Sequence, residues 1–151
     1  MDEKSFKELH GLFIEDVKLD QTAELIRKIT KDDIQQFAMV SGDDNPVHTN
    51  EGFAKKTVFR KIIAHGFLTA SFISTVIATK LPGPGSIYLN QTLKFLAPVF
   101  IGDTINVKVR VIALDAKKKR VKLLTECFKK EDKILTGEAE IMIRSQKDII
   151  E

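Results

Sequence analysis

The sequence predicts an α+β fold in which one long buried helix is wrapped by an antiparallel β-sheet. Residues 66–80 are apolar or small on nearly every side and end at a Pro-Gly-Pro-Gly run, which is typical of a helix buried all round. Residues 86–144 contain segments of alternating polar and apolar side chains joined by short polar turns, which indicates antiparallel strands. The length of 151 residues suits one domain spanning residues 1–151.

The first part of the chain is predicted to hold an extension, an anchor and a strand. Residues 1–9 are interpreted as a flexible N-terminal extension, and His10, which has no evident partner, is placed at the surface. Leu12-Phe13-Ile14 is an apolar cluster that anchors the segment to the core. Residues 23–29 are compatible with the first strand.

A capped helix and a rigid loop follow this strand. Thr30 is a suitable N-cap for a helix over 31–40, because acidic residues in the first turn meet the positive end of the helix dipole. The helix leads into Ser41-Gly42-Asp43-Asp44-Asn45-Pro46-Val47-His48. Proline fixes its own φ and pushes Asn45 out of the helical region, so this stretch is predicted to be a shaped loop and not part of a helix.

The remaining elements are two helices and a run of strands. Asn50 can cap a short helix over 51–56, and the long buried helix begins at Gly66. Strands are predicted over 86–95, 104–112, 119–128 and 133–144. In the last of these strands, Gly137 is interpreted as a β-bulge.

Composition and charge exclude several classes of protein. The single cysteine, Cys127, cannot form an internal disulfide and gives no metal cluster, which fits a reducing compartment such as the cytoplasm. We expect no membrane span and no signal peptide. The net charge of +3 comes from residues 101–151, which include the basic run 117–120. This run is either a solvated hairpin turn or a site that attracts an anionic ligand. Nucleic-acid binding is not expected, because no aromatic side chains interleave with that run.

Asp43 and His48 are a candidate acid–base pair. An aspartate with a pKa of ~3.9 is ionised at neutral pH, and an imidazole with a pKa of ~6.5 can accept or donate a proton there. The alternative is an ordinary turn, since Gly, Asp, Asn and Pro are the usual turn residues.

The run Gly42-Asp43-Asp44-Asn45-Pro46-Val47-His48 resembles the hydratase motif of the MaoC-like family, which includes the R-specific enoyl-CoA hydratases. The resemblance continues through residues 63–68, 85–89 and 95–103, and it covers roughly residues 10–144. It implies a hot-dog fold and a homodimer, or an assembly of dimers, with active sites at the subunit interface. We expect a cytoplasmic enzyme of fatty-acid metabolism.

The resemblance also implies a reaction and its catalytic residues. The reaction is the reversible addition of water to trans-2-enoyl-CoA, giving (R)-3-hydroxyacyl-CoA, with Asp43 and His48 as the catalytic pair. We expect the N–H of Gly66, at the start of the long helix, to bind the developing enolate oxygen. Asn45 is expected to orient the pair or to serve as a turn residue, and Ser74 to border the site or to allow close packing.

Binding of the acyl carrier is also expected from the resemblance. Coenzyme A enters as part of the substrate, and no separate cofactor or metal is expected. The phosphates of coenzyme A suit basic side chains, for which Lys94 and the run 117–120 are candidates. His65 is interpreted as a packed or capping histidine.

Three other functions remain open. A hot-dog acyl-CoA thioesterase has no need of the Asn-Pro-x-His arm, and a non-catalytic acyl-CoA-binding protein has no need of the Asp43–His48 pair. A dehydratase acting on an acyl-carrier-protein or dicarboxylyl-CoA substrate would use the same residues.

Overall fold

A computed structural model describes residues 1–149, which form one six-stranded sheet and a set of helices. The helices are α1 (Glu3–Leu9), α2 (Lys31–Ser41), α3 (Pro46–Thr49), α4 (Glu51–Ala54) and α5 (Gly66–Thr79). The strands are β1 (Thr22–Lys28), β2 (Ile87–Gln91), β3 (Lys94–Phe95), β4 (Thr104–Asp115), β5 (Arg120–Lys129) and β6 (Asp132–Met142). Within residues 1–149, every helix is too short or too polar to cross a bilayer.

The sheet is antiparallel throughout and carries the long helix on one face. Its strands follow the order β1-β4-β5-β6-β2, and β3 pairs with β6 beside β2. Helix α5 packs against β4, β1 and β5. The predicted α+β architecture, a long helix on an antiparallel sheet, is therefore confirmed.

The core lies between α5 and the inner face of the sheet. Strand β4 buries every second residue, as the period of two in its sequence predicts. The buried side chains of this strand are Ile105, Val107, Val109 and Val111. They meet the buried side chains of α5, which include Phe72, Ile73, Val76 and Ile77. Burial of each such side chain stabilises the fold by roughly 1.5–3 kcal/mol.

The prediction that α5 is buried all round is wrong for the single chain. Ser74 and Ala78 are exposed along one side of the helix, and Phe67 is 65% exposed. The physical reason is that one sheet can cover only one face of a helix. The opposite face carries mostly small side chains, whose apolar character in the sequence did not distinguish it from the buried face.

The N-terminal segment differs from the prediction at two points. Residues 3–9 form α1, which Asp2 caps by accepting a hydrogen bond from the N–H of Ser5 at 2.7 Å. The side chains of this helix are exposed or half-buried. His10 is not a lone surface residue, because its ring stacks on Phe13 with 4.3 Å between centroids.

The bulge in β6 lies at Ile134 and not at Gly137. The pairing of β6 with β5 shifts by one residue after Cys127, opposite Ile134. Gly137 is in regular register with Thr125, but a Cβ there would lie 1.8 Å from the carbonyl oxygen of Thr92. Glycine is needed at this position because another backbone approaches it closely.

Candidate active site

Helix α2 ends two residues before Asp43 and is capped at both ends. At its start, the Thr30 hydroxyl accepts from the N–H of Asp33 at 3.1 Å, and the Asp33 carboxylate accepts from the N–H of Thr30 at 2.8 Å. This capping box confirms Thr30 as the N-cap. The helix ends at Gly42, which has a left-handed φ of 76° and donates its N–H to the carbonyl of Ala38. Asp43 is therefore the first residue beyond a firmly ended helix.

The segment between Asp43 and His48 is a turn followed by one turn of helix. A carboxylate oxygen of Asp43 accepts from the N–H of Asn45 at 3.3 Å, and the Asn45 side chain accepts from the N–H of Val47 at 3.1 Å. Asn45 lies outside the helical region, as predicted, but Pro46 begins α3, so the prediction of a loop up to His48 is wrong. Proline suits the first position of a helix because its φ is already helical and its missing N–H needs no partner.

The structure shows Asn45 as a turn residue and places its main-chain N–H, not its side chain, against the Asp43 carboxylate. Its side chain caps α3, and its main-chain N–H donates to the carboxylate of Asp43.

His48 is held as a neutral imidazole with a defined tautomer. Its Nδ1 lies 2.7 Å from the carbonyl oxygen of Ile63. Because a carbonyl only accepts, Nδ1 carries the proton and Nε2 keeps a free lone pair. Partial burial is the main cause that lowers the pKa of His48 below its ordinary value of 6.5, with His65 adding to it, while the hydrogen bond to Ile63 and the charge of Asp43 oppose the shift. The ring is therefore available as a base at neutral pH.

His65 contacts both members of the pair. Its side chain is 2% exposed, and its Nε2 donates to the main-chain carbonyl of Asp43 at 2.9 Å. Its ring stacks on His48 at 3.9 Å between centroids and packs against Phe37 at 4.8 Å. Its Nδ1 is buried and has no partner in residues 1–149. The predicted packing of His65 is confirmed, but the side chain makes no capping bond to α5.

The three side chains of Asp43, His48 and His65 converge. One ring nitrogen of each histidine and a carboxylate oxygen of Asp43 lie within 4.8 Å of one another. Such a spacing leaves room for one water molecule held between a base and an acid. The same three groups are the ones in the described chain that could ligate a metal ion, although His65 Nε2 already donates to a carbonyl.

An apolar cavity of about 470 Å³ lies beside this group. Ile63, whose carbonyl accepts from His48, and Gly66, the first residue of α5, both line it. The other lining residues are Phe59, Ala64, Phe67, Thr69, Phe95, Leu96, Ala97, Pro98, Val99, Ile134 and Leu135. Its volume and apolar walls suit an acyl chain.

Gly66 offers a free hydrogen-bond donor where the cavity meets the helix. Its N–H is among the first donors of α5, which have no acceptor within the helix, and no other acceptor in residues 1–149 takes it up. A Cβ at Gly66 would lie 2.7 Å from Cε1 of Phe95, so glycine allows the Phe95 ring to approach the start of α5 closely. A helix N-terminus that borders a cavity is suited to a developing negative charge.

The other predicted site residues lie away from this cavity in the single chain. Ser74 is on the exposed side of α5, two helical turns beyond Gly66, and does not line the cavity. Lys94 precedes Phe95 in β3, and because successive strand side chains alternate in direction, it points away from the cavity that Phe95 lines.

The basic run 117–120 forms the hairpin turn between β4 and β5, as one of its two interpretations predicts. Arg120 pairs with Met142 in the sheet, seven residues along β6 from Leu135 in the cavity wall, which is about 23 Å at ~3.3 Å per residue. Lys119 is also engaged by Asp148 at 2.5 Å. The run therefore does not border the cavity of its own chain.

Comparison with known proteins identifies the family. The family described as MaoC like domain matches residues 15–132. An (R)-specific enoyl-CoA hydratase of Rhodospirillum rubrum is 49% identical over 131 residues, which cover 87% of this chain and 91% of that protein. A 3-hydroxybutyryl-CoA dehydratase of Methylorubrum extorquens is 42% identical over 141 residues, which cover 93% of this chain and 90% of that protein.

The solved structures agree with the sequences. The unliganded R-hydratase PhaJ1 of Pseudomonas aeruginosa superposes with a TM-score of 0.85 at 42% identity, covering 90% of this chain and 88% of that one. The protein is thus a hot-dog α+β protein in which Asp43 and His48 converge beside an apolar cavity. It belongs to the MaoC-like dehydratase family, which the run from Gly42 to His48 indicated.

Proposed function

We propose that this protein is a hydro-lyase that adds water reversibly to trans-2-enoyl-CoA and gives (R)-3-hydroxyacyl-CoA. The observation that carries the proposal is the convergence of the Asp43 carboxylate with the neutral His48 ring. The His48 ring contacts the carbonyl of Ile63, which lines the same cavity as Gly66 with its free N–H. Relatives named as a hydratase and as a dehydratase support it, since these names describe two directions of one reaction.

The geometry gives each group a part in the addition. Asp43 and the Nε2 lone pair of His48 hold one water and remove a proton from it as its oxygen forms a bond to C3 of the substrate. The C2–C3 π electrons move toward the thioester carbonyl, whose oxygen gains negative charge at the N–H of Gly66. The pair then returns a proton to C2, so that one water is added and the pair is restored.

The assembly is proposed to be a homodimer. The exposed side of α5, with Phe67, Ser74 and Ala78, is a mostly small-residue face of the kind that buries against another copy. Asp43 is also exposed in the single chain, and an active site that excludes water would need a second subunit to cover it. The measurement is the mass in solution by light scattering, with twice 17.0 kDa expected.

The pathway and the compartment are also part of the proposal. We place the enzyme in fatty-acid metabolism, because acyl-CoA thioesters are its proposed substrates, and in the cytoplasm, because the free Cys127 fits a reducing compartment. Burial raises the pKa of its thiol to about 12, so the thiol is unreactive and plays no part in the chemistry.

The function is tested by mixing the purified protein with crotonyl-CoA and following two signals. Loss of the enoyl absorbance, with an (R)-hydroxy product and no free thiol, is the expected result. Free thiol without hydration would identify a thioesterase. Binding of the thioester with neither change would identify an acyl-CoA-binding protein, and hydration only of a carrier-protein or dicarboxylyl thioester would identify another dehydratase of the family.

A further inference from the structure

A short segment next to the cavity carries as much net charge as the whole chain. Residues 51–61 contain four cations and one carboxylate, a balance of +3. The cations are Lys55, Lys56, Arg60 and Lys61, and all four are exposed. None of them pairs with a carboxylate anywhere in residues 1–149. We name these four side chains the basic segment.

The basic segment lies beside the acyl cavity. Phe59, in the middle of it, lines the apolar cavity together with Ile63. Lys55 and Lys61 line a second hollow of about 300 Å³ with Glu51, Ile62, Phe100 and Ile101. The two hollows are lined by different residues of the same two segments, 59–63 and 97–101, which a β-bridge joins between Ile63 and Phe100.

One contact and one backbone feature distinguish the basic segment. The Nζ of Lys61 lies 4.2 Å from the ring centroid of Phe100, a cation–π contact that keeps the ammonium at the rim of the second hollow. Arg60 has a left-handed backbone with a φ of 63°, a conformation that residues with a Cβ rarely adopt. Strained backbone of this kind is concentrated at binding and catalytic sites.

We propose that the basic segment binds the phosphates of the coenzyme A nucleotide while the acyl thioester occupies the neighbouring cavity. The inference rests on the proposed function and sets the orientation of the substrate. The reacting carbonyl lies at Gly66, and the phosphates lie beyond Phe59. Arginine suits phosphate because its donors form a planar fork, and lysine suits it as a mobile point charge. This assignment replaces Lys94 and the run 117–120, which the structure turns away from the cavity or holds about 23 Å from it.

The experiment compares two thioesters that differ only in the nucleotide. The variant is Arg60→Gln with Lys61→Gln, which keeps the aliphatic stems and removes two charges. KM for crotonyl-CoA should rise about tenfold, while KM for crotonyl-pantetheine and kcat for both substrates stay unchanged, because the lost contacts bind substrate and transition state alike. The matched control is Lys117→Gln with Lys118→Gln, which removes two charges from the distant hairpin and should leave every constant unchanged.

Several outcomes would overturn the inference. An equal rise in KM for both thioesters, or a rise no larger than in the control, would show that the basic segment does not recognise the nucleotide. A selective rise for a crotonyl-acyl carrier protein, but not for crotonyl-CoA, would assign the segment to a protein carrier.

Failure of the proposed function itself gives a different result, because the unmodified protein would then hydrate neither thioester. In that case calorimetry with free coenzyme A still decides the inference. Weaker binding by the variant than by the control supports it, and no binding by the unmodified protein overturns it.

Discussion

Replacement of Gly66 by alanine should abolish most of the hydratase activity without unfolding the protein. The added methyl group would lie 2.7 Å from Cε1 and 3.0 Å from Cδ1 of Phe95, inside the cavity that both residues line. We expect the methyl group and the displaced Phe95 ring to narrow the cavity beside the N–H of residue 66 and so to hinder the approach of the thioester carbonyl. The backbone itself accepts alanine, since Gly66 begins a regular helix.

The expected magnitudes separate a catalytic effect from a structural one. Loss of one donor to a developing oxyanion typically lowers kcat by about 10²–10³-fold, or roughly 2.7–4 kcal/mol in the barrier. The stability should change far less. Alanine in place of glycine favours the folded state by about 0.4–1 kcal/mol, and displacement of the half-exposed Phe95 ring opposes this gain.

The assay is steady-state hydration of crotonyl-CoA, with urea denaturation of the same samples. Gly52→Ala is the matched control, because Gly52 is also in a helix and a Cβ there meets only the Asn50 side chain at 3.3 Å. Two further variants remove the clash with the ring: the single variant Phe95→Ala, and the double variant that carries both Gly66→Ala and Phe95→Ala. If the double variant is as active as Phe95→Ala alone, the ring displacement and not the blocked donor caused the loss, and the reasoning is refuted.

Three further predictions concern the pair and the sheet. Because burial lowers the pKa of His48 and the neutral form is the base, kcat/KM should stay constant from pH 8 down to 6.5 and decrease only below pH 6.5. A decrease that begins above pH 6.5 would contradict this prediction. His65→Phe keeps an aromatic ring that stacks on His48 but removes the hydrogen bond to Asp43, so kcat should drop about 10- to 100-fold. His65→Gln should recover part of the activity, because its amide can donate this hydrogen bond. Equal activity of the two variants would exclude the hydrogen bond as the cause. Gly137→Ala should lower the free energy of unfolding by about 3 kcal/mol, since its Cβ would lie 1.8 Å from the carbonyl oxygen of Thr92, and a change below ~1 kcal/mol in urea denaturation would refute the contact.

Local signals in the sequence predicted most of the fold. The Thr30 cap, the alternation along β4 and the start of α5 at Gly66 all depend on interactions between near neighbours, which a pattern of residue types records. The bulge at Ile134 and the need for glycine at position 137 were not predicted. Both depend on which backbone approaches β6 from another part of the chain.

The sequence predicted which residues form the candidate site better than it predicted the contacts between them. The pairing of Asp43 with His48 followed from a compact motif, and the structure brings the two together. The link through His65 needs a hydrogen bond across 22 positions, which no local pattern shows. The basic segment was missed because the balance of +3 in residues 51–61 disappears when charge is summed over the first hundred residues.

The most direct test of the account is kcat for crotonyl-CoA in Asp43→Asn, in His48→Ala and in the protein that carries both changes. If the two side chains act as a unit on one water molecule, each single variant should lose nearly all activity, and the double variant should be no slower than the slower single one. Single variants that keep the unmodified rate, or losses that multiply in the double variant, would show that Asp43 and His48 do not act together and would contradict the proposed mechanism.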